Sequence, residues 1–134
     1  MKRTLFIALF MLSYLSAKSQ ILTDGEHKIG LYASINNGDI VNSAKPTSDK
    51  SYIYVKNTNN AIAIFLDGIL IEGITYDKNT ITRNGESYTF QAKSINDLIN
   101  RECIIDTAPE GTPGFVNFAI SRGNGSFDMY SIEK

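Results

Sequence analysis

The residues able to carry chemistry in this 134-residue chain are few and scattered. Its one histidine, His27, lies in the polar stretch Asp24-Gly25-Glu26-His27-Lys28, and its one cysteine is Cys103. A Ser-His-Asp or Cys-His arrangement would have to use His27 as its base, yet its charged neighbours are those of a solvated surface residue. A zinc site assembled from His27, Cys103 and carboxylates would lack any local ligand spacing. Cys103 opens the apolar run Cys103-Ile104-Ile105, which reads as a buried strand, and free cysteine is among the most buried residue types. An inert core thiol is expected there, with an intermolecular disulfide as the alternative. No G-x-S-x-G, H-E-x-x-H or phosphate loop occurs, and Gly123-x-Gly125 lacks the third glycine of a dinucleotide fingerprint. No catalytic residue, metal-ligand set or cofactor follows from these residues.

Carboxylates are harder to judge, because a hydrolase needs only two acids at the right separation in space. A small carboxylate-dependent hydrolase therefore stands as an alternative function, although the chain has no Trp to form a sugar platform. Asp77-Lys78-Asn79 has the start of a calcium loop without the later glycine and glutamate, and reads as a polar turn between strands. Asn124-Gly125-Ser126 fits a glycosylation sequon by pattern, but it sits where a hairpin wants Asn and Gly, and the turn accounts for it fully. The positive signal is Ser51-Tyr52-Ile53-Tyr54-Val55-Lys56. Alternation turns Ile53 and Val55 inward and leaves Tyr52, Tyr54 and Lys56 as an amphipathic strip of the kind enriched in recognition surfaces. These three are the candidate ligand-binding residues.

The segments around them begin with an address. Lys2 and Arg3, the apolar run Leu5 to Leu15, and the small residues Ala17 and Ser19 have the order of a secretory signal peptide spanning 1–19. Its 11-residue apolar run is shorter than the roughly 20 residues a membrane-spanning helix needs, so no membrane anchor is expected. A single β-rich domain, 20–134, remains, secreted or periplasmic. All 14 acidic residues follow the cut and three of the 13 basic ones precede it, leaving a net charge of about −4. That balance offers nucleic acid no basic footprint.

Turn dipeptides flanked by apolar runs then divide the domain into hairpins. Asn37-Gly38, Asp67-Gly68 and Asn84-Gly85 each suit a two-residue type I′ turn, and Gly123-Asn124-Gly125 makes a fourth. Counting outward from them puts Leu31, Ile35 and Ile40 on one buried face, and Val116, Phe118, Ile120, Phe127 and Met129 on another. Ile81 pairs with Tyr88, and Arg83 meets Glu86 beside the turn. In the Asp67-Gly68 hairpin, Ile64 faces Ile71 and Phe65 faces Leu70, so both faces are apolar and both need cover. Ser94-Ile95-Asn96-Asp97 fits a capping box, which with Ile95, Leu98 and Ile99 predicts a short helix over 95–102. The expectation is an all-β, antiparallel, hairpin-rich small barrel or sandwich with one short helix. Its function is that of a non-catalytic binding or protein-interaction module, its partner a protein or a small polar ligand. A structural subunit that associates through the 61–74 hairpin, forming a homo-oligomer, is the other alternative.

Overall fold

The described residues form nine strands, with tight turns joining four of the hairpins: β1 (Gly25–Asn36), β2 (Asp39–Ala44), β3 (Tyr52–Lys56), β4 (Ala61–Leu66), β5 (Ile69–Asn84), β6 (Ser87–Ser94), β7 (Asn100–Asp106), β8 (Phe115–Gly123) and β9 (Ser126–Glu133). The computed structural model describes residues 21–46, 48–110 and 114–133, so the expected signal peptide lies outside the described residues. All pairings are antiparallel, in the order β2-β1-β3-β4-β5-β6-β7-β8-β9. β1 also pairs with β9, from Ile29↔Ile132 to Asn36↔Ser126, which closes eight strands into a barrel and leaves β2 attached outside the ring. Closure removes the sheet edges that an open meander would expose.

Two of the expected type I′ turns form as read. Asn37 and Gly38 have φ of 51° and 86°, and Asp67 and Gly68 have 51° and 82°, the positive values both central positions require. The β8–β9 turn is Asn124-Gly125, with 54° and 77°. The β5–β6 turn is displaced by one residue: Asn84↔Ser87 flank it, so Gly85 and Glu86 are its central pair. Only Gly85, at 61°, has positive φ there, as a type II′ turn wants. Arg83 consequently lies opposite Tyr88, 5.6 Å from its ring centroid, and bonds the Gly85 carbonyl. The expected pairings of Arg83 with Glu86 and of Ile81 with Tyr88 are not made.

An eight-stranded barrel is just wide enough for side chains to fill, and here they do. Ile53, Val55, Ile62, Ile64, Ile74, Phe90, Ile105, Phe118, Ile120 and Ile132 are all buried inside it. β-Bulges decide which residues reach that interior, because one inserted residue flips every side chain beyond it. A bulge between Ile29 and Leu31 turns Tyr32 toward the core and leaves Ile40 62% exposed, reversing the face expected for the first hairpin. A bulge between Ser121 and Gly123 sets Phe118 against Tyr130 and Val116 against Ile132. Val116, Phe118 and Ile120 therefore point inward as expected, but the β9 face is Tyr130 and Ile132, not Phe127 and Met129.

No helix forms at 95–102. The capping-box residues close a tight loop instead: Leu98 N–H donates to the Ser94 carbonyl, Asn96 N–H to Ser94 Oγ, and Ile99 N–H to Asp97 Oδ1. Leu98 takes φ of 60°, a left-handed value that stops helix propagation, and the chain enters β7 two residues later. Among the described residues, the one helical feature is a 3-10 turn at Asn57–Asn59.

Cys103 lies on the inner face of β7 and is fully buried. Burial, helped by the nearby charge of Glu72, pushes its thiol up to about 12. Cys103→Ser should cost about 1–3 kcal/mol by placing a hydroxyl among apolar groups. Loss measured by chemical denaturation, together with native Cys103 that resists a bulky thiol reagent, is the expected outcome.

Candidate interaction surface

Strand alternation carries Tyr52, Tyr54 and Lys56 to the outer wall, since Ile53 and Val55 between them are wholly buried. Register extends that strip across two neighbouring strands. Tyr52 faces Phe65, which faces Leu70; Tyr54 faces Ala63, which faces Gly73; Lys56 faces Ala61, which faces Thr75. The first row is aromatic, with the Tyr52 and Phe65 rings stacked at 4.9 Å between centroids. The second and third rows are floored by small residues. They form a shallow apolar groove of about 210 Å³, walled by Tyr54 and Lys56 on one side and by Ile95 on the other.

Gly73 is what lets Ile95 close the far wall. Ile95 N–H donates to the Gly73 carbonyl at 2.8 Å, and a Cβ at position 73 would come within 2.5 Å of Ile95 Cδ1. The 95–99 loop is fixed from below by Asp97, whose Oδ2 accepts from Arg101 Nη2 at 2.6 Å. The Ile99 N–H first, and then Arg101, hold the Asp97 carboxyl below its ordinary range. Ile95, Leu98 and Ile99 are exposed on that loop, beside Ile69, Leu70 and Ile71 at the start of β5. Among the described residues, these six and Tyr54 make up seven of the nine large hydrophobic side chains left in water; the other two are Ile40 and Val41 on β2.

The β4–β5 hairpin is thus covered on one face only. Ile62 and Ile64 are core, whereas Phe65 and Leu70 face outward. A bulge at Ile71 moves Glu72 opposite Ile64, where Ile71 was expected. Glu72 enters the barrel and is only 5% exposed. Its Oε1 accepts from Ser94 Oγ at 2.6 Å and its Oε2 from Arg122 Nη1 at 2.9 Å; Arg122 Nε bonds Asp128 Oδ2 at 2.6 Å. This chain of four side chains plugs the end of the barrel from which the apolar loops project. Both oxygens of its buried carboxylate are occupied by donors. Tyr130 packs beside it, its hydroxyl pushed up to about 12 by burial and then by Asp128.

A second, polar depression lies over β5 and β6, where register jumps from Asp77↔Gln91 to Thr82↔Thr89. Asp77-Lys78-Asn79 is therefore a bulge within β5, not a turn between strands. Thr80 Oγ donates to the Asp77 carbonyl at 2.6 Å and accepts from Gln91 N–H at 2.8 Å, and Asn79 N–H caps Asp77 Oδ1. Lys78, Gln91, Lys93 and Asn100 line the open hollow of about 630 Å³ beside it.

The structure therefore places Tyr52, Tyr54 and Lys56 together on one wall. The sequence reading missed the loop apolar residues that complete that wall, because the spacing of Ile95, Leu98 and Ile99 was absorbed into a helix. Comparison with known proteins finds no matching family model, no matching curated protein and no matching solved structure.

Proposed function

We propose that this chain is an exported, non-catalytic interaction module whose partner is a protein gripped by the β3–β4–β5 wall and the two apolar loops beside it. The observation carrying this reading is the concentration of exposed apolar side chains around a groove lined by Ala61, Ala63 and Gly73. Scattered surface apolar residues need no explanation, whereas a contiguous patch marks an interaction site. Tyr52, Tyr54 and Lys56 supply the aromatic and amphipathic components common at such interfaces. Export rests on the signal-peptide pattern at 1–19, and the packed barrel interior turns recognition to the outside.

A photo-crosslinking residue placed at Tyr54 or Leu98, in cells that make the protein, is expected to trap a partner. The same residue at Glu102, exposed on β7 away from the wall, is not. Equal trapping at all three sites, or trapping at Glu102 alone, would remove the wall from the proposal. A second reading, a small polar ligand in the β5 hollow, is favoured by the hydroxyl, amide and ammonium groups converging there. Saturable binding lost in Gln91→Ala and retained in Tyr54→Ala would support that reading instead.

A further inference from the structure

The groove in the β3–β4–β5 wall has a size and a single charge that together describe what would fill it. At about 210 Å³ it is smaller than the roughly 300–1,000 Å³ of a pocket that encloses a small molecule. It suits one large apolar side chain, the anchor that a protein partner buries in a socket at the centre of an interface. Its floor is Ala61, Ala63 and Gly73, so no large side chain of its own occupies it. The opening depends on Gly73, since a methyl there would stand 2.5 Å from Ile95 Cδ1 and 2.9 Å from its Cγ1.

Lys56 is the one charged residue lining the groove, and it is exposed. Register continues its row past Ala61 and Thr75 to Lys93 on β6, also exposed. At the other end of the wall, the stem of Lys50 lies over the Asp67-Gly68 turn, 3.4 Å from where a Cβ of Gly68 would be. None of these three meets a carboxylate within ion-pairing distance among the described residues. The carboxylates around the wall are engaged elsewhere. Glu72 is turned into the barrel on Ser94 and Arg122, Asp97 is held by Arg101, and Asp67 accepts from Ser51 Oγ at 3.3 Å. Asp77 and Glu102 flank Gln91 on the row beyond Lys93, away from the groove.

We infer that the groove takes one large apolar side chain from an internal segment of the partner protein, and that Lys56 selects an aspartate or glutamate close to that side chain. This rests on the reading of the wall as a protein-binding surface. The wall runs on past the groove in both directions, to Tyr52 and Phe65 on one side and to Thr75 and Lys93 on the other, so the partner's chain continues either side of its anchor. The apolar socket supplies the grip, and the ammonium group at its rim supplies discrimination more than affinity.

Random-sequence peptides displayed on phage and panned against the full-length protein should enrich Leu, Ile, Met or Phe with an Asp or Glu close by. Against Lys56→Glu the acidic preference should invert to Lys or Arg while the apolar one persists. An enriched peptide, synthesised with a blocked C-terminus and followed by fluorescence polarisation, should bind Lys56→Glu about 2- to 30-fold more weakly. It should bind Gly73→Ala about 10-fold more weakly or worse, because the added methyl takes the floor of the socket. Ala63→Leu fills the same groove from β4 and should do likewise, which covers the case of a Gly73→Ala chain that fails to fold. Enriched peptides that lack the acid, or that bind Lys56→Glu unchanged, overturn the inference, while cross-linking at Tyr54 still decides the wall separately. The absence of any enrichment overturns it too. So does a peptide held only through a free C-terminal carboxylate, or dodecanoate bound in the groove more tightly than the peptide.

Discussion

Arg122→Met is expected to destabilise the barrel by about 2–4 kcal/mol, through the carboxylate it leaves behind more than through the contact it removes. Glu72 sits inside the barrel with one oxygen on Ser94 and the other on Arg122. With the guanidinium gone, a buried charge has lost its counter-charge. The loss lies toward the lower side of that for a broken buried pair because the Arg122 side chain keeps 27% of its surface in water. Removing both charges should reverse the effect. Glu72→Met with Arg122→Met replaces the pair by apolar groups of similar volume, a change often neutral or stabilising, and Asp128 remains 34% exposed to solvent. Urea denaturation of the two single variants and the double completes the cycle. An Arg122→Met protein as stable as the parent would mean that Glu72 does not depend on this pair.

Ile64→Ala should cost about 2–5 kcal/mol, because Ile64 is fully enclosed between Ile53 and Glu72 in the sheet and its loss opens a cavity. That is a large part of the 5–15 kcal/mol typical of a whole domain. Phe65→Ala, one residue along the same strand, should cost only about 1–2 kcal/mol, since its ring is half-buried and stacks on Tyr52 at the surface. The pair separates two accounts of the hairpin. If both faces were core, the two losses would match; a large difference in midpoint between them follows from one covered face.

The sequence was legible where chemistry is local. Gly38 and Gly68 each occupy a position that needs positive φ, so two of the turns could be read from dipeptides alone, whereas Gly123-Asn124-Gly125 marked a turn without fixing its register. The alternation of Ile53 and Val55 with Tyr52, Tyr54 and Lys56 needed only the two-residue period of a strand. What could not be read was the bulge. Ile71 and Arg122 carry no local mark that an extra residue interrupts the ladder, and only Gly30, a lone glycine within a strand, hints at one, yet each interruption reverses the faces beyond it. Barrel closure imposes these bulges through strand curvature, a demand set by the whole ring. The helix expected over 95–102 failed for a related reason. Ser94 and Asp97 bond neighbouring amides as a cap would, but the loop between β6 and β7 has room only to reverse direction. The candidate wall was therefore half visible: its strand residues followed from pattern, and its loop residues required the turn.

Closure through β1 and β9 also governs how the protein comes to exist. Every other pairing joins strands that lie near one another along the chain, whereas Ile29 and Ile132 are more than a hundred positions apart. Nearby hairpins form within microseconds, but the seam must wait for a slow search across nearly the whole chain. A chain emerging N-terminus first can build strand upon strand and still hold β1 open until its last eight-residue strand arrives. Until then the nascent sheet has two raw margins that closure later removes, on β1 and on the newest strand, each able to capture a wrong neighbour. The final strand thus acts as a latch, and the time before it engages is the interval in which the protein is most vulnerable to aggregation and proteolysis.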